Sequence, residues 1–141
     1  MDKNCIFCRI AKGEIPSSKL YEDSSFLSFL DIAPANHGHS LVIPKKHYET
    51  LIDIPEPELK LLISTVQKVI KAVVKGTGAE GFNVFANNKK VAGQIVPHVH
   101  FHIVPRFAGD GIKFNWPQRK YNEGEMDKVR ETIVNSLQQT L

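Results

Sequence analysis

The spacing of apolar positions changes several times along this chain, and each change marks an element. Leu59, Leu62, Ile63, Val66, Val69, Ile70 and Val73 recur every three or four residues, which predicts one long helix over residues 55–75 with a single apolar face. Asp53 followed by Glu56 resembles a capping box, Gly76 suits the C-terminal cap, and Lys68, Lys71 and Lys75 complement the negative end of the helix dipole. Met126, Val129, Ile133 and Leu137 repeat the helical spacing and predict a C-terminal helix. A short helix is expected over residues 5–12, stopped by Gly13. Strands are expected over Lys19–Glu22 and Phe26–Leu30, on either side of an Asp23-Ser24-Ser25 turn, and over residues 41–44 and 82–86. A last strand spans residues 97–104, with Pro97 at the first position, where the missing N–H is tolerated. Residues 31–40 and 87–94 read as polar loops. Strands, one long helix and more strands predict an α+β fold with a mainly antiparallel sheet of about five strands.

Composition narrows the class. The chain has 141 residues, 42% of them hydrophobic, enough for one domain over residues 1–141 with a substantial core. No apolar run reaches the roughly 18 residues of a membrane span, so no membrane partner is expected. The opening Met1-Asp2-Lys3-Asn4-Cys5 lacks the charged-then-apolar pattern of a secretion signal, and a cytoplasmic location is expected. The formal charge of +3 comes without a long basic run, which argues against nucleic acid as the main partner. Cys5 and Cys8 stand at C-x-x-C spacing. In a reducing compartment that spacing points to a redox motif or half of a metal site rather than a structural disulfide.

The most informative segment is Pro97-His98-Val99-His100-Phe101-His102-Ile103-Val104. On an extended strand His98, His100 and His102 share one face, about 7 Å apart in succession, and Val99, Phe101 and Ile103 take the other. Half of the chain's six histidines sit here, which packing alone does not explain. Two chemistries fit. Three imidazoles can hold a catalytic metal with one position left for water. Alternatively, a neutral imidazole attacks well when one ring nitrogen is held as N–H and the other is free. Spacing does not separate them.

With His98-Val99-His100-Phe101-His102-Ile103-Val104 the chain resembles the histidine-triad (HIT) family, whose signature alternates three histidines with apolar residues. The resemblance continues through Ile6-Phe7, Glu14-Ile15-Pro16, Tyr21-Glu22-Asp23, Phe29-Leu30-Asp31-Ile32, the run from His39 to Lys45, and Ala92-Gly93-Gln94, weakening after about Arg106. It implies a HIT-like fold, commonly paired as a homodimer. It also implies cleavage at the α-phosphate of purine nucleotide derivatives, either nucleoside phosphoramidates or dinucleoside polyphosphates, through a nucleotidyl-histidine intermediate. Carried over, His100 is the nucleophile, a main-chain carbonyl holds its other nitrogen, His102 bonds the phosphate, and His39 orients from behind. Asp31 would take the ribose hydroxyls. Phe7, Ile10, Ile15, Phe29 and Ile32 would line the base pocket, and Asn87, Gly93, Gln94 and the Ile95 backbone would face the phosphate. A binding module without turnover is the alternative from another class.

Two further points follow from the resemblance. Some members bind zinc through an N-terminal C-x-x-C, a histidine after a P-K-x-H segment and the first triad histidine. Here these are Cys5, Cys8, His47 and His98, a closed set that implies structural zinc and separates His98 from His100 in role. Many members also carry Ser or Thr three residues before the first triad histidine, against the leaving group. This chain has Ile95 there, without the hydroxyl.

Overall fold

The computed structural model describes residues 2–140. The chain divides into two compact units, one running to Gly111 and the other from Ile112 onward. The first unit holds a short helix α1 (Ile6–Ala11), strands β1 (Lys19–Glu22), β2 (Phe26–Leu30) and β3 (Ser40–Pro44), the long helix α2 (Glu56–Thr77), and strands β4 (Gly81–Phe85) and β5 (Phe101–Arg106). The second holds one helix, α3 (Glu125–Thr140), with Met126, Val129, Ile133 and Leu137 exposed. The five strands form one antiparallel sheet in the order β1-β2-β3-β5-β4.

Alternation along the strands splits the core in two. Phe26, Val42, Phe101 and Ile103 point to one face, where they meet Leu62, Val66, Val69 and Val73 of α2. Leu27, Phe29, Leu41 and Ile43 point to the other and pack on Phe7, Cys8 and Ile10 of α1. Each buried aliphatic side chain contributes about 1.5–3 kcal/mol by leaving water. The even positions of the last strand therefore face α1, not α2, and that is the face carrying His100 and His102.

Several expected boundaries move, each for a local reason. Helix α2 runs past Gly76 to Thr77 and is capped by Gly78 at φ 71°, whose N–H reaches the Val74 carbonyl. Asp53 does not cap α2. Its carboxylate accepts from the Thr50 N–H at 2.9 Å and the Thr50 hydroxyl at 2.7 Å, closing the 3-10 turn Leu51–Asp53 instead. Ile63 is exposed, because the buried stripe of α2 runs through Leu62, Thr65 and Val66. Pairing in β5 starts at Phe101 and continues to Arg106, so the expected strand from residue 97 is shortened: His98 sits in a bend, its N–H on the Val96 carbonyl at 2.8 Å, and His100 just before the strand, both without ladder partners. Gly38, at φ 98°, is required twice over, since a Cβ there would also stand 2.7 Å from the Thr77 methyl.

Candidate functional site

A cavity of about 330 Å³ opens on the α1 side of the sheet. Phe7, Ile10, Ile15, Phe29 and Ile32 line it, with Asp31, Ile95, His100 and His102 also in its wall. All of the expected base-pocket residues are thus gathered, together with Asp31 and the imidazoles of His100 and His102. Sequence reasoning missed Ile6, Pro16, Ser17, Leu30, Leu41 and Val96, which share the lining. The Ser17 hydroxyl is buried there with no hydrogen-bond partner among the described residues. Its adjacency to Ile15-Pro16 was the available signal.

Hydrogen bonds fix the ring state of four histidines, His39, His98, His100 and His102. A carbonyl only accepts, so a ring nitrogen facing one must carry the proton. His100 Nδ1 donates to the His98 carbonyl at 2.7 Å, which leaves the Nε2 lone pair free. His98 Nε2 donates to the Pro44 carbonyl at 2.8 Å, which leaves its Nδ1 free. His39 Nδ1 accepts the Ala35 N–H at 3.0 Å, so its proton is on Nε2, 2.9 Å from His102 Nδ1 and 3.6 Å from Asp31 Oδ2. His102 Nδ1 therefore accepts, and its Nε2 carries N–H. Burial pushes all four imidazoles toward the neutral form: His98 and His102 to about 4, His100 and His39 below the ordinary histidine value against the opposing pull of Asp31.

The site is braced from both sides. Phe7 sets its ring edge on His100 with centroids 5.0 Å apart, and Phe85 stacks on His102 at 4.6 Å. Asp31 Oδ1 accepts the Ala33 N–H at 2.9 Å, so one oxygen caps its own loop while the other faces His39. Ile95 is 92% exposed, packed in no core. Asn87 and Gly93 lie outside the cavity lining, with Asn87 Nδ2 3.5 Å from the Gly93 carbonyl. The Gln94 side chain is not turned to the cavity. It is buried, donating to the Glu49 carbonyl and accepting the Lys89 N–H, both at 2.7 Å, and so clamps the loop in which Lys89 takes φ 73°.

Two clusters of metal-ligating groups stand close by. Asp31, His39 and His102 converge, with the His39 nitrogen that faces the other two carrying its proton. Cys5, Cys8, His47 and His98 have their ligand atoms within 4.8 Å of one another. Cys5 Sγ lies 3.4 Å and Cys8 Sγ 3.6 Å from His98 Nδ1, and Cys8 Sγ lies 3.3 Å from His47 Nδ1. Tetrahedral zinc with ordinary Zn–S and Zn–N bonds sets sulfur and nitrogen about 3.5 Å apart. The donor set and its spacing fit that ion, and the Pro44 carbonyl holds His98 in the tautomer a metal needs.

An antiparallel sheet with the middle histidine of an alternating triad in the wall of a cavity defines a class, and the comparisons agree with it. The HIT domain family model matches residues 12–109, and the chain belongs to that family. A HIT-like protein of Methanocaldococcus jannaschii is 54% identical over 131 residues, 92% of this chain and 98% of that protein. An adenosine 5'-monophosphoramidase of Schizosaccharomyces pombe is 40% identical over 135 residues, 95% of this chain and 98% of that one. Among solved structures, a Streptococcus mutans protein superposes with TM-score 0.91 at 39% identity, covering 97% of this chain and 87% of that chain. A zinc-bound histidine triad protein of Mycobacterium smegmatis superposes with TM-score 0.74 at 35% identity, covering 98% of each chain.

Proposed function

We propose that this protein cleaves purine nucleoside 5'-phosphoramidates and related adenylyl compounds at the α-phosphorus. The carrying observation is the 2.7 Å bond from His100 Nδ1 to the His98 carbonyl, which leaves a neutral imidazole with its Nε2 lone pair free in the cavity. In the proposed first step that lone pair forms a bond to phosphorus and the P–N bond of the substrate breaks. The departing amine takes a proton from solvent water, the hydroxide being neutralised by the proton that the second water releases in the next step, and His102 Nε2–H bonds the oxygens on which charge collects. Water then attacks the same phosphorus, the N–P bond to His100 breaks, and the nucleotide leaves. His39 acts through His102, holding its Nδ1 as acceptor. Asp31 Oδ2 takes the ribose hydroxyls, while Phe7, Ile10, Ile15 and Phe29 enclose the base. The names of relatives favour phosphoramidates over dinucleoside polyphosphates.

Zinc, held by Cys5, Cys8, His47 and His98, completes this reading as a structural ion with no open position for water. A cytoplasmic location accords with it, since a reducing compartment keeps both cysteines as ligands, and no helix among the described residues is long and apolar enough to cross a membrane. Pairing into a homodimer is also proposed, supported by β4, a sheet-edge strand whose Phe82 and Val84 are exposed.

The test is mass spectrometry of protein quenched during turnover of adenosine 5'-phosphoramidate. A nucleotidyl adduct on His100 is expected, together with a turnover loss of roughly a thousandfold or more in His100→Ala and little change in AMP affinity. Wild-type-like turnover in that variant would overturn the mechanism. Tight AMP binding with no turnover in the wild type would favour a binding module.

A further inference from the structure

His98 belongs to two sites at once. Its Nδ1 faces both thiols of the metal cluster, and its carbonyl holds the Nδ1–H of His100. Helix α1 has the same double attachment. Cys5 is its N-cap, Cys8 lies within it, and between them Phe7 turns its ring toward His100, with Phe29 at 5.7 Å and His98 at 5.9 Å. Ile10, one turn on, is another wall of the cavity. A helix of six residues does not sustain itself in water, so its position depends on what it is tied to. Beyond the Phe7–His98 ring contact, the ties that reach from α1 to His98 and to His47 run through the two sulfurs, which bond only weakly as thiols and strongly as metal ligands.

We infer that occupancy of the Cys5–Cys8–His47–His98 site controls nucleotide affinity and the ring state of the nucleophile, with Phe7 and His98 as the positioning residues that carry the effect. This rests on His100 being the nucleophile and deepens that reading. Two arms follow from the geometry. Along the first, the metal pins α1, and α1 holds Phe7 and Ile10 against the base. Along the second, the metal pins the His98 ring between itself and the Pro44 carbonyl, and the ring fixes the peptide whose oxygen accepts the hydrogen bond from His100 Nδ1–H. Loss of the metal frees both arms together, although no metal ligand touches the nucleotide cavity through its own side chain.

The experiment compares zinc-loaded, chelator-stripped and zinc-restored protein. AMP affinity is measured by calorimetry and the His100 tautomer by nitrogen NMR. Stripping should weaken AMP binding by roughly tenfold or more, as expected when the competent wall is populated in a tenth of the molecules or fewer. It should also replace the single Nδ1–H form of His100 by a mixture, and zinc should restore both. Phe7→Ala in the loaded protein should weaken AMP binding while leaving zinc content and the His100 tautomer unchanged, which separates the two arms. Hydrogen exchange in Cys8→Ser should quicken the amides of α1 far more than those of β2 and β3. A stripped protein with unchanged AMP affinity and an unchanged His100 tautomer would overturn the inference. So would unfolding or faster exchange across the whole sheet, because the metal would then serve the fold and not this wall. If the loaded protein binds no AMP at all, the proposed function falls, and the exchange and tautomer measurements still decide the coupling.

Discussion

Acidification should unfold this protein over a window that His102 helps to set. Burial first, then the charges that His100 and His39 would carry, push His102 down to about 4 from the ordinary histidine value of 6.5. The sign is that of a base kept neutral. Above pH 6.5 neither state binds the proton, and His102 contributes nothing to pH dependence. As pH falls toward 4 the unfolded chain binds a proton that the folded chain refuses, so stability drops, and below 4 the penalty is complete. With these two values the penalty is on the order of 1 kcal/mol at pH 5.5 and roughly 2 kcal/mol at pH 4.5. Urea unfolding of wild type and His102→Gln at pH 7.5, 5.5 and 4.5 measures it. Carboxylates and metal ligands titrate in both proteins, so their contributions cancel in the difference. Relative to its own value at pH 7.5, the variant should lose about 2 kcal/mol less than wild type by pH 4.5. Parallel losses in the two proteins would refute the claim that the fold holds His102 neutral.

Asp31→Ala should raise KM for a ribonucleotide substrate by roughly tenfold and for its 2'-deoxy analogue by less, as measured by steady-state kinetics on both, because a lost bond costs only the substrate that made it. Equal effects would leave Asp31 as a loop cap acting through the Ala33 N–H. Ile95→Ser should leave the melting temperature within about 2 °C of wild type, since a side chain 92% exposed leaves no cavity behind. It should also raise kcat for phosphoramidates more than for dinucleoside polyphosphates, because an amine needs a proton as it leaves; a uniform loss of rate would deny the position any catalytic meaning.

Much of the site was written in local order. Alternation put His100 and His102 on one face and Val99, Phe101 and Ile103 on the other, and the core clusters divide along that line. The helical period located α2, and the C-x-x-C pair with His47 and His98 supplied donor types that the fold does bring together. These features depend on side-chain chemistry repeating at the spacing of a single element, which a chain carries whatever surrounds it.

Contacts between residues far apart in the chain were not legible, because they depend on how loops close and which backbone groups are left over. Gln94 reads as a phosphate neighbour, yet its amide is taken by Glu49, 45 positions away. Gly76 reads as a cap, but the helix continues until Gly78 supplies the left-handed turn. Nothing in the triad's spacing chooses between a three-histidine metal site and a bare nucleophile. Two carbonyls, of Pro44 and of His98, bear on that choice, because each accepts a hydrogen bond from one ring N–H and so decides which nitrogen of His98 and of His100 keeps its lone pair.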